Sequence, residues 1–167
     1  MQNSVLNVRK KKKKLVKNYK IFFLITITSF FIDQISKLLI RHFFEENISY
    51  RIFKYFSITY IKNKGVCFGF LNYYILKIPL IIGSILIFLL IFMYVFKNKT
   101  NSKVIQVSSG FIEGGILGNL IDRIRFGAVV DFLNFHIWPV FNFSDSFIVI
   151  GVSILFFYQI RQGKTIK

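Results

Sequence analysis

The 167-residue sequence is poor in the residue types that build most soluble active sites: one cysteine, two histidines and seven acidic residues. The lone Cys67 excludes an internal disulfide framework and a cysteine-based zinc site. His42 and His136 are too few for a His-rich metal centre, and no His-Glu-x-x-His helix motif occurs. The Gly-x-Ser-x-Gly elbow of serine hydrolases is also missing. Alanine occurs once, at Ala128, while Lys, Ile, Phe and Asn are heavily used. This drift, of the kind an AT-rich genome produces, means that positions usually small and apolar carry other residues here.

What is abundant decides the class. Hydrophobic residues make up 54% of the chain and mean hydropathy is +0.55, an average that soluble domains rarely reach. The 22 Phe and 8 Tyr exclude disorder. Net charge is +16, but so apolar a background is wrong for a basic nucleic-acid binder. The length suits one compact unit.

A bilayer is crossed by about 20 apolar residues in a helix. Four such spans are predicted, at about 21–40, 78–96, 104–121 and 141–160. The second is uninterrupted, and the third is weakened by Gln106, Ser108, Ser109 and Glu113. They delimit a basic N-terminal segment (1–20), one membrane domain (21–160) and a short tail (161–167). An even number of spans puts both termini on one side. That side holds fourteen Lys and Arg and no acid, against eight Lys and Arg opposite. Both termini are therefore expected in the cytoplasm. The lysine run 10–14 reads as a topological anchor that also meets anionic lipid. Cleavage of the first span as a signal peptide is not expected, since no small-x-small site follows it.

Two segments face outward. Residues 41–74 are rich in β-branched and aromatic residues and alternate over Ser57–Lys62, as strands do. Residues 122–140 mix charged and apolar residues, as a segment lying on the membrane surface does. The fold class is thus an all-α membrane protein: a four-helix transmembrane bundle with a small β-rich cradle and a surface-lying segment.

The scarce acids point to the chemistry. Asp122, Asp131 and Asp145 all map to the outer boundary. Asp33 lies seven residues below the outer end of the first span, roughly 10 Å deep, where an ionisable group is costly unless paired. Lys37 is its i+4 neighbour on the same face. Gly110, Gly114 and Gly118 form a small-residue stripe that permits close helix approach. Gly115, Gly118, Asn119 and Asp122 share one helical face, and Glu113 points away from it. Two aspartates sharing a site cannot both ionise easily, so one can serve as base on water while the other donates a proton. Spacing does not say which two of the three pair. A small proton-coupled transporter would use the same residue types.

Five blocks, in order, resemble lipoprotein signal peptidase (signal peptidase II): Asp33-Gln-Ile-Ser-Lys37, Asn63-Lys-Gly-Val-Cys-Phe-Gly69, Gly114-Gly-Ile-Leu-Gly-Asn-Leu-Ile-Asp-Arg123, Val129-Val-Asp-Phe132 and Phe141-Asn-Phe-Ser-Asp-Ser146. The resemblance covers roughly residues 20–160. It implies a membrane-embedded aspartic endopeptidase of the bacterial inner membrane, with its site near the outer face. Such an enzyme removes the signal peptide of a diacylglyceryl-modified prolipoprotein just before the lipid-bearing cysteine. Asp131 and Asp145 fall on the catalytic positions. Asp33, Lys37, Asn63, Gly65, Asn119, Asp122, Arg123 and Asn142 fall on supporting or substrate-lining ones, with Arg123 and Asn142 expected to orient the carboxylates by hydrogen bonds. No cofactor or metal is implied. The implied partners are the prolipoprotein, membrane lipid and the inhibitor globomycin, with no nucleic acid, and a monomer suffices. Cys67 and Ser144 stand where alanine is usual, Glu113 where an apolar residue is usual, and the Asp131–Asp145 stretch is short.

Overall fold

The computed structural model describes residues 19–65, 73–97 and 102–164. The lysine run 10–14 and Cys67 lie outside the described residues. Four helices are long and apolar enough to cross a membrane: α1 (Lys20–Phe43), α2 (Tyr73–Lys97), α3 (Lys103–Phe126) and α4 (Phe143–Lys164). At 1.5 Å per residue α1 and α3 are each about 36 Å long, enough for a bilayer core with some tilt.

The least apolar helix is the central one. Two-thirds of the spanning window of α3 is buried, against 6% for α2, which shows lipid an almost wholly apolar surface. The polar residues that weaken α3 as a span, Gln106, Ser108, Ser109 and Glu113, are all buried inside the bundle. Its glycines make the close packing possible. A Cβ at Gly110 would sit 2.9 Å from the Phe22 carbonyl of α1, and one at Gly114 2.7 Å from that of Thr26. On the other flank, a Cβ at Gly115 would meet the backbone of Ser144 in α4. The stripe thus serves two neighbours. Gly127 ends α3 in the left-handed conformation, its N–H donating to the Arg123 carbonyl at 3.1 Å.

The segments that join the helices form a three-stranded antiparallel sheet in the order β1 (Ser49–Phe53), β2 (Phe56–Asn63), β3 (Val129–Asn134). Residues 122–140 therefore do not simply lie on the membrane surface. Asp122–Phe126 continue α3, and 129–134 form the third strand, because the αL turn at Gly127 sends the chain back along β2. Only 135–140 form an exposed loop, closed at its base by Leu133 and Phe141, which pair across it. A bulge between Ile58 and Ile61 breaks the simple alternation of β2. Tyr60 consequently turns inward with Ile40, Val130 and Phe132, clamping the sheet onto the end of α1. The opposite end of the bundle is held by Tyr19, Phe22 and Val95 with Phe92 and Phe96.

Candidate active site

The polar site is built in two layers. The deeper layer centres on Lys37, wholly buried on α1. Its ammonium lies 2.8 Å from Asp33, 3.1 Å from Asp122 and 2.9 Å from the Asn119 amide oxygen. Each carboxylate has a further duty. Asp33 accepts from the Ser144 backbone N–H at 2.8 Å, fixing the start of α4. Asp122 accepts from the Val130 N–H at 3.2 Å, fixing β3. A buried ion pair stabilises only when its remaining hydrogen-bonding capacity is satisfied, and here the surplus capacity is spent on the two elements that carry the other aspartates.

Those two form the upper layer. Asp131 sits in the middle of β3 and is 2% exposed. Asp145 occupies the first turn of α4, where the helix N-terminus favours negative charge. Asn142, fully buried just before α4, joins them. Its side-chain N–H donates to Asp131 at 2.6 Å, and its backbone N–H donates to Asp145 at 3.2 Å. Asn63 donates to the other Asp131 oxygen at 2.8 Å, and Asn119 donates to the other Asp145 oxygen at 2.8 Å. Asn119 also accepts from Lys37, so one amide links the two layers. Gly65 adopts φ +76° and donates its N–H to the Asn63 amide oxygen at 2.8 Å. That bond turns the Asn63 NH2 group towards Asp131.

The two carboxyls differ in environment. Burial lifts Asp131 to about 7, the Asn63 amide opposes the rise, and the nearby Asp145 charge adds to it. Asp131 opens onto a cavity of about 420 Å³ lined by Asn63, Lys62, Lys64 and Pro139. Asp145 is partly exposed and lines an apolar groove of about 810 Å³ between α2, α3 and α4.

Comparison with known proteins places the chain in a family. The family model described as signal peptidase (SPase) II matches residues 25–161. The chain belongs to the signal peptidase II family. Among signal peptidase II relatives, the lipoprotein signal peptidase of Halothermothrix orenii is 42% identical over 146 residues, spanning 85% of this chain and 97% of that protein. That of Geobacter metallireducens is 38% identical over 153 residues, spanning 88% and 94%. A solved structure described as a bacterial membrane enzyme, determined by the in meso method, aligns with TM-score 0.79 at 27% identity, covering 87% of this chain and 91% of that one.

The residues expected from the signal peptidase II resemblance fall into the two layers, with one correction. Arg123 lines the 810 Å³ groove beside Asp145, but among the described residues it makes no hydrogen bond or ion pair with either carboxylate. The orienting amides are those of Asn63, Asn119 and Asn142. Gln34 was not singled out from the sequence, although it lies inside the first block. Its amide donates to Asp33, Asp122 and the Gly118 carbonyl, tying α1 to α3. The available signal was a polar side chain beside Asp33 in an otherwise apolar span. Glu113 stays outside both layers. It is fully buried, and neither carboxyl oxygen has a hydrogen-bond partner among the described residues.

Proposed function

We propose that the chain is an aspartic endopeptidase that removes the signal peptide from diacylglyceryl-modified prolipoproteins, cutting on the N-terminal side of the lipid-bearing cysteine. The observation that carries this reading is Asn142, one residue holding Asp131 and Asp145 through its side chain and its backbone. Family membership and the lipoprotein signal peptidase relatives supply the substrate class.

In this mechanism Asp131 is the proton donor and Asp145 the base. Asp131 keeps its proton near neutrality because its charged form is poorly solvated. Asp145 accepts one hydrogen bond on each oxygen, from the Asn119 amide and the Asn142 backbone N–H, which fixes the carboxyl that acts on water. Asp145 takes a proton from water, and the water oxygen attacks the scissile carbonyl. Asp131 gives its proton to the developing oxyanion. The tetrahedral intermediate then collapses, the C–N bond breaks, and the departing cysteine amine takes up a proton from the dyad. No step requires a metal or cofactor. The site belongs at the outer face, with both termini in the cytoplasm, and one chain is sufficient.

A transporter needs ionisable groups on facing helices through the bilayer depth. Glu113 is the one buried acid outside the polar layers, and it has no hydrogen-bond partner among the described residues. The peptidase reading is tested in membranes with a diacylglyceryl-modified prolipoprotein. Wild type is expected to release the signal peptide, globomycin to block release, and Asp131→Asn and Asp145→Asn to abolish it at equal expression. Cleavage retained by either variant means the dyad is wrong. No cleavage by well-inserted wild type would overturn the assignment.

A further inference from the structure

We propose that the groove beneath the Phe135–Phe141 loop is a subsite for one acyl chain of the substrate's diacylglyceryl group, separate from the groove that takes the signal peptide. The inference rests on the peptidase reading above.

Asp145 lines two apolar grooves. The longer, of about 810 Å³, runs down α4 through Val152 to Gln159, fourteen residues or about 21 Å. The shorter, of about 580 Å³, is bounded by Ser146, Val149 and Ile150 of α4 and roofed by Phe135, Ile137 and Trp138. Helical spacing puts them on different flanks of α4. Ile148, Val152, Leu155 and Gln159 of the long groove lie about 20–80° from Asp145 to one side, whereas Val149, Ser146 and Ile150 of the short groove lie about 40–140° to the other, with Phe156 of the long groove near the line of Asp145. Asp145 stands on the ridge between them.

A substrate cut beside a lipidated cysteine has the same division. Its apolar signal segment lies on one side of the scissile bond, and the lipid hangs from the residue on the other. The long groove parallel to the helices matches a helical signal segment. The short groove reaches only one turn and a half below Asp145 and ends against α4, which matches a chain attached at the cleavage point. Its lining is almost entirely apolar, so a peptide backbone entering it would find few hydrogen-bond partners.

The roof is built rather than loose. Leu133 and Phe141 exchange backbone hydrogen bonds at its base, at 2.8 and 3.1 Å. Phe135 and Phe141 stack with centroids 5.9 Å apart. His136 takes a positive φ of 62°, uncommon for a non-glycine residue, and is held there twice. Its backbone N–H donates to the Asn134 side chain at 2.9 Å, and its ring lies 3.0 Å from the buried Ser57 hydroxyl. This turn presents Ile137 and Trp138 outward, 92% and 70% exposed. An indole is favoured at the level of lipid ester and headgroups, where the glyceryl ester of the substrate must lie.

The test compares two synthetic prolipoprotein peptides whose cysteine carries either a dihexadecanoylglyceryl or a dioctanoylglyceryl group. Wild type in vesicles is expected to favour the long-chain peptide in kcat/KM. Val149→Trp fills the groove and is expected to cut that preference by about tenfold, the worth of roughly two buried methylenes. Phe157→Trp, on the lipid face of α4 outside both grooves, should leave the preference intact. An unchanged preference in Val149→Trp would overturn the proposal, and because it is a ratio it is insensitive to partial loss of folded enzyme. A second arm places a diazirine at the chain end. Labelling concentrated on Phe135, Ile137, Trp138, Val149 and Ile150 supports the subsite. Labelling at Ile87, Leu90 and Val152 puts the chain in the long groove, and labelling spread over lipid-facing positions such as Leu24 and Phe157 puts it in bulk lipid. Either result refutes the subsite. Failure of wild type to cleave both peptides would refute the peptidase reading itself.

Discussion

Asp131 is where burial and chemistry are most tightly coupled. Its carboxyl ionises near 7 in the folded protein, against 3.8 for an unperturbed aspartate. The raised value makes the charged form a liability, so native stability falls as pH rises from about 4 through 7. Two outcomes follow. The kcat/KM profile should lose activity on the alkaline side with an apparent pKa near 7, a value belonging to the dyad as a unit. Asp131→Asn should abolish cleavage, by at least about a hundredfold, while its melting temperature relative to wild type climbs as pH is raised across that window. A melting difference independent of pH would mean that Asp131 is not buried as described. Glu113 offers the contrast. It is fully buried without a hydrogen-bond partner among the described residues, and it lies on the face of α3 turned away from Asp122. Glu113→Leu is expected to raise stability in detergent by about 1–3 kcal/mol, since an apolar group replaces an unsatisfied one. Cleavage should stay within about twofold. A large loss of activity would give Glu113 a role that its position does not suggest.

Among the elements, α3 shows most clearly what the sequence made legible and what it did not. Its glycine spacing foretold close packing, and the helical period correctly separated Glu113 from Asn119 and Asp122. The period could not say that Gly110 and Gly114 meet α1 while Gly115 meets α4, because that depends on where neighbouring helices stand. Gly114→Val is therefore expected to cost about 1–3 kcal/mol by overpacking, its Cβ driven against Ser29 and the Thr26 carbonyl. Loss of activity should follow loss of folded protein in a thermal-shift assay, with no change in KM of the surviving fraction. β3 was harder to foresee. Val129–Asn134 is a plausible strand, but Asp131 in its middle and the arginines just before it read equally well as a surface segment. What decides is non-local: the left-handed turn at Gly127, the Asp122 carboxylate on the Val130 N–H, and the pairing with β2. Likewise, the short Asp131–Asp145 stretch is accommodated because Phe141 pairs back onto Leu133, returning the chain to Asn142.

At the scale of the whole molecule, charge asymmetry and site position must agree. The two polar layers sit at one end of the bundle, where α1 ends, α3 ends, α4 begins and the sheet attaches. The aromatic cluster of Tyr19, Phe22 and Val95 marks the other end; the lysine-rich segment precedes Tyr19 in the sequence and lies outside the described residues. If Lys and Arg excess fixes orientation, the dyad faces outward and a secreted signal sequence reaches it from the bilayer. This is decided by cysteine labelling in intact cells, in a Cys67→Ala background so that each introduced thiol is unique. Lys54→Cys, between β1 and β2, is expected to react with a membrane-impermeant maleimide. Gln162→Cys, at the far end of α4, should react only after permeabilisation. The reverse pattern would put the aspartates in the cytoplasm and overturn the proposed orientation. Deleting residues 2–14 separates the two roles of the basic segment. If the eight that remain on that side, Lys17, Lys20, Lys97, Lys99, Lys103, Arg161, Lys164 and Lys167, still orient the chain, the same labelling pattern and full cleavage should survive. If the lysine run is the dominant signal, labelling should become mixed, and cleavage should fall in proportion to the fraction inverted.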